Sequence, residues 1–200
     1  MLTLIAVNVF GYLISTFLLW KRLKEDYSSQ QIFNTAFYIL IGLLVFYFAG
    51  SKLIYPYWFW FSLVGIILGL SLGIYRFHLK AYETIEASIS GLLIWLALIF
   101  LTDSVVNSSL FSFAGFATVT AITGIYYFLD SHYHNFTWYK SGKIGFSGLA
   151  TAGIFFLVRA IIAGIYPYVL SFSGKYEVYL SAIASFIFFL LTYNLSRIKI

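Results

Sequence analysis

Cysteine is absent from the 200 residues, which removes disulfides, thiolate metal ligands and a cysteine nucleophile. Proline occurs twice, as Pro56 and Pro167, each just outside a long apolar run where a helix can end. Charge is also scarce: 10% of residues are Asp, Glu, Lys or Arg, against 62% hydrophobic residues and a mean hydropathy of +0.92. A soluble domain carries about 25% charged residues, so the expected solvent for this chain is lipid. The apolar runs are continuous and lack the alternation of a membrane β-barrel. No P-loop, dinucleotide fingerprint or Ser-His-Asp arrangement is recognisable.

What is present is length of apolar chain. A helix needs about 20 mostly apolar residues to cross about 30 Å of hydrocarbon. Runs of that kind lie at about 2–20, 32–50, 57–75, 84–102, 110–129, 144–166 and 178–196. They predict an all-α, polytopic membrane bundle of seven transmembrane helices, forming a single integral domain over 1–200 with no separate soluble part. The first run has no basic region before it and no small-residue cleavage site, so it is expected to remain as a helix.

Basic residues set the expected orientation, because cytoplasmic loops carry an excess of them. One set of connections holds Lys21, Arg22, Lys24, Arg76, Lys80, Lys140, Lys143, Arg197 and Lys199, and the other holds Lys52 and Lys175. The N-terminus is therefore placed outside and the C-terminus in the cytoplasm. The same asymmetry accounts for a net charge of +5 without nucleic acid, and makes anionic headgroups the natural partner. Aromatics in YPYWFWF (55–61) and YPY (166–168) fall at the outer boundary, as interfacial belts do. Gly65, Gly69 and Gly73 share one helical face, where a neighbouring helix is expected to cross.

Ionisable residues inside a membrane are functional candidates by default. Arg159 interrupts the apolar run FFLVRAII seven residues before Tyr166, about 10 Å inside the outer end of its span. Its face carries Gly148, Ala152, Phe155, Ala163 and Tyr166, with Thr151 beside them. That stripe points the arginine into the bundle. Three readings follow: a snorkelling residue, a clamp for an anionic headgroup, or a structural pair with Asp103, read as the carboxylate on that side. Asp103 and Asn107 share a face in LTDSVVNSS, and Lys52 ends the second span. Glu83 and Glu86 open the fourth span, where carboxylates suit the helix dipole. Asp130, His132 and His134 in DSHYHN are too loosely spaced to predict a metal site. No cofactor is expected.

The order of these features resembles the prolipoprotein diacylglyceryl transferases, seven-helix enzymes of the bacterial cytoplasmic membrane. The likeness covers most of the chain. GYLISTFLLWKRLK is similar to the family's first helix with its basic end, and DYSSQQIFNTAFYILIGLLVFYFAGSKL to the segment that follows. Where the family closes its second helix on Gly-Ala-Arg-Leu, this chain has Gly50, Ser51, Lys52 and Leu53. SGKIGFSGLATAGIFFLVRAII resembles the sixth helix, with Arg159 on the family arginine and Phe155 at a family tyrosine. The family's Phe-His-Gly-Gly is FSLVG here, with Ser62 or a neighbour at the histidine. Of Arg-x-Gly-Asn-Phe-x-Asn-Gly-Glu, only Asn107 agrees.

The resemblance implies transfer of diacylglyceryl from phosphatidylglycerol to a cysteine thiol of a lipoprotein precursor, with release of glycerol phosphate. That chemistry needs a cationic site for the leaving phosphate and a base for the thiol. Arg159, Lys52 and Ser62 are the expected headgroup ligands, and Arg159, Asp103 and Asn107 the candidate catalytic residues. His78, His132 and His134 fall on the cytoplasmic side, away from an outer site. The alternative is a catalytically silent relative that binds anionic phospholipid or acts as a membrane scaffold.

Overall fold

The computed structural model describes residues 2–136, 139, 144–166, 169 and 171–197. Within them there is no strand, and seven long helices follow one another: α1 (Leu2–Leu23), α2 (Ser29–Leu53), α3 (Trp58–Phe77), α4 (Ala81–Val106), α5 (Leu110–His132), α6 (Phe146–Ile165) and α7 (Glu177–Arg197). Six of the elements, those built on α2 through α7, are long and apolar enough to cross a membrane. The chain is an all-helical, multi-pass membrane protein. The expected Lys140, Lys143, Lys199, Pro167 and Tyr168 lie outside the described residues.

Most helices outrun the apolar segments that announced them, and at α2 a polar cap sets the earlier start. At the start of α2 the Ser28 hydroxyl accepts from Gln31 N while the Gln31 side chain accepts from Ser28 N, a capping box just ahead of the apolar run. Pro56 lies in a single 3₁₀ turn, Tyr55–Tyr57, between α2 and α3. At the end of α3, His78 adopts a left-handed conformation that stops the helix.

The glycine face of α3 is crossed by α2. A Cβ on Gly65 or Gly69 would run into the carbonyl of Gly42 or Tyr38, and one on Gly73 would meet Thr35 at 2.5 Å. The groove is thus filled within the chain, as small-residue helix crossings in membranes are. Helix α4 packs on α1, where Gly91 takes Ser15 and Gly11 takes the indole of Trp95, and also on α5. Helix α6 packs against α4, α5 and α7 and is the most enclosed of the spans. That central position carries Arg159 into the interior.

Candidate functional site

Two ionic clusters stand at opposite ends of the bundle, one of them wholly enclosed. The first is built on α6 and the start of α7. Arg159 is 4% exposed and Glu177 fully enclosed; Arg159 Nε donates to Glu177 Oε1 at 2.5 Å. Arg159 Nη1 donates to Ser171 Oγ at 2.9 Å, and Nη2 to the Ser171 carbonyl. The guanidinium carbon lies 3.7 Å from the centre of the Phe59 ring and 4.8 Å from that of Phe172, close enough for cation–π attraction.

Glu177 is equally occupied. Oε1 also accepts from Ser181 Oγ at 2.7 Å, while Oε2 accepts from Trp60 Nε1, Ser173 N and Ser173 Oγ, each at 3.0 Å. Local sequence explains this arrangement. A 3₁₀ turn, Gly174–Tyr176, begins with Gly174 in a positive-φ conformation and brings Ser173 back onto the first residue of α7. Ser181 follows Glu177 by four residues and shares its face. An aromatic at position 60 reaches across from α3.

The other sequence candidates do not join this cluster. Asp103 accepts from Asn107 Nδ2 at 2.7 Å and from Ser112 Oγ, so Asp103 in the last turn of α4 and Asn107 at its C-cap share a face, against the start of α5. Ser62 is buried and returns its hydroxyl to the Trp58 carbonyl at 2.7 Å. Lys52 is exposed in the last turn of α2. Among the described residues, no hydrogen bond or ion pair links any of them to Arg159. The partner that meets the arginine is Glu177, which the sequence reading passed over in favour of Asp103. Its signal was available: the Glu177, Ser181, Ser185 spacing of four marks a polar stripe on α7 at Arg159's end of the chain.

No family model, curated protein or solved structure matches the chain. Its chemistry is therefore read from its own geometry.

The second cluster joins α1, α4, α5 and the entry to α6. Arg22 bridges Glu86 and Asp130, with Nη1 to Asp130 Oδ2 at 2.8 Å and Nη2 to both carboxylates. Glu86 is 1% exposed and its Oε2 accepts from the Gly145 amide at 2.5 Å. Glu86 therefore does more than open a helix, which was its expected role: the helix begins at Ala81, so residue 86 has already turned inward by more than one turn. Glu83 keeps the expected role at the helix start, with Lys80 Nζ 3.0 Å away; that hydrogen bond raises the Lys80 ammonium above its ordinary range. Asp130 is engaged by Arg22, while His132 and His134 remain exposed near the end of α5.

Chemically, the Arg159 cluster is closed on itself, whereas Arg22 in the second stays exposed. The Arg159 guanidinium has protein acceptors on all three nitrogens and aromatic faces on its flanks. That arrangement stabilises a charge inside the bundle and links α3, α6 and α7.

Proposed function

We propose that this chain is a catalytically silent membrane protein on the helical plan of the prolipoprotein diacylglyceryl transferases, one that binds anionic phospholipid and serves as a membrane scaffold. In this reading α1 is the seventh span, the N-terminus faces outward, and the protein resides in a bacterial cytoplasmic membrane. The observation that carries it is the state of Arg159. The group expected to receive a phosphate already has Glu177 and Ser171 as partners and is almost wholly enclosed.

The charge distribution supports the lipid half. Lys21 and Lys24 at the end of α1, Arg76 at the end of α3 and Lys80 before α4 lie at one end of the bundle, tied together where Lys80 meets Asp26 at 3.6 Å and its amide donates to Tyr27 Oη. Basic residues near a membrane surface attract anionic headgroups, each contributing about 1 kcal/mol.

A transfer assay tests the reading. Purified protein in phosphatidylglycerol nanodiscs is mixed with a peptide carrying a lipobox cysteine, and the peptide mass is followed. The expected result is no gain in mass, with phosphatidylglycerol still bound to the protein. A gain of one diacylglyceryl group would overturn the silent reading and establish a transferase.

A further inference from the structure

Helices α2 and α3 form a hairpin packed on itself through backbone. Besides the glycine crossing at its middle, Gly50 near the end of α2 seats against Phe61, and Gly73 near the end of α3 seats against Thr35. The two helices are thus in close contact along their length, and a surface so tightly packed moves as one body.

Attachment of the hairpin to the other helices is uneven. At the basic end, Ile32 and Ala36 close on Leu19 and Leu23 of α1 and Ala87 of α4. The connections there are tied as well: Trp20 Nε1 donates to Ser29 Oγ at 3.1 Å, and the Lys80 amide donates to Tyr27 Oη at 2.8 Å. Farther along, α2 faces α1 and α4 across a cavity of about 30 Å³ lined by Tyr12, Thr16, Leu40 and Trp95 among others. Thr16 Oγ1 is buried there without a hydrogen-bond partner. A void and an unpartnered hydroxyl on one seam mark looser packing than inside the hairpin.

At the far end the tie is made by side chains. The backbone of α3 makes its close approaches to α2 and α4 rather than to α6 or α7, and two neighbouring aromatics in its first turn bridge the distance. The Trp60 indole stacks on Phe156, ring centres 5.7 Å apart, and donates to Glu177 Oε2, while the Phe59 ring lies over the Arg159 guanidinium. The ion pair they cover is held without them. Glu177 also accepts from Arg159, from Ser181 and from both the amide and the hydroxyl of Ser173, and Arg159 also donates to Ser171. Both aromatics can therefore withdraw without stranding a buried charge.

We infer that the α2–α3 hairpin is a hinged flap, pivoting at the basic end and latched at the far end by Trp60 on Glu177. Released, the flap opens a lateral slot between α3 and the α6–α7 pair, through which Arg159 and Glu177 become reachable from the lipid. Hinges of this kind concentrate the motion in a few residues at element ends, here 24–28 and 78–80. Helix α3 is a lever about 30 Å long, so a swing of about 10° moves its latched end by about 5 Å. Loss of the indole hydrogen bond should raise the ratio of open to closed protein roughly 10- to 100-fold, as for one hydrogen bond to a charged group. The latch works whatever lipid the protein binds.

Distances between paired spin labels on the full-length protein in lipid nanodiscs test it, and the chain has no native cysteine to compete for the label. Lys52→Cys with Lys175→Cys, both exposed, reports the latched end, and Gln30→Cys with Phe128→Cys, both exposed, reports the pivot. One distance is expected at each pair while Trp60 is present. Trp60→Ala should add a second population at the latched end, longer by about 5 Å or more, and leave the pivot pair unchanged. Trp60→Phe keeps a ring beside Phe156 and should shift a smaller share the same way, so it carries the test where Trp60→Ala does not fold. A latched-end distance that neither variant changes would overturn the latch. Equal changes at both pairs would overturn the hinge, because the hairpin would then be separating or unfolding as a whole.

Discussion

Arg159 and Glu177 give a simple rule for a charge in this bundle: each is stable only in the presence of the other. A buried ion pair is weak evidence of net stability, yet removing one partner strands the other in a medium that cannot solvate it. Arg159→Leu should therefore destabilise the protein by about 3–5 kcal/mol, read by chemical unfolding in detergent. Arg159→Leu combined with Glu177→Leu should recover a large part of that loss. A loss in the double variant equal to the sum of the two single losses would show that the pair does not couple. Trp60→Phe keeps an aromatic ring but loses the indole N–H donated to Glu177 together with part of the ring stacked on Phe156; the expected cost is at least about 1.5–3 kcal/mol, the range for a hydrogen bond to a charged group. Fluorescence-detected melting of that variant checks it.

Among the elements, the tightest constraint is the crossing of α2 over α3. Its surface is backbone on both sides, with Gly42, Gly65 and the Tyr38 carbonyl in direct apposition. No rotamer change can relieve a side chain added there, so Gly69→Val should cost about 1–3 kcal/mol or more by overpacking, visible as a lowered melting temperature. A preserved melting temperature would place the crossing elsewhere. The entry to α6 is constrained differently. Gly145 has φ +121°, its amide donates to Glu86, and a Cβ there would approach Tyr82 Cβ at 2.7 Å. Gly145→Ala combines strain with a clash; about 1–3 kcal/mol is expected from the backbone alone. The crossing glycines were legible in the sequence, because period-four glycines on an apolar helix have few other uses. Gly145 was not, since a loop-to-helix glycine announces neither its sign of φ nor the carboxylate its amide will meet. Helix ends were read short for the related reason that hydropathy marks the lipid boundary, whereas caps such as Ser28 set the helical one.

At the scale of the molecule, two ionic clusters tie the helices at opposite ends, the Arg159–Glu177 pair enclosed and the Arg22, Glu86 and Asp130 bridge partly exposed. The membrane class, the helical order and the inward direction of Arg159 were all legible, because apolar length and small-residue faces are local properties of sequence. The partners were not. Glu177 lies 18 residues from Arg159, Glu86 lies 64 from Arg22 and Asp130 lies 108 from Arg22; such pairings are decided by how helices assemble. That distinction bears on function, since an arginine that looked free to receive a phosphate is enclosed by its own chain. Phosphatidylglycerol retention by the Arg159→Leu, Glu177→Leu double variant, measured by native mass spectrometry against the unsubstituted protein, tests this most directly. The account predicts equal retention, because the pair holds helices together and the lipid binds at the other end. Loss of retention in a double variant that still melts cooperatively would contradict it and return the headgroup to Arg159.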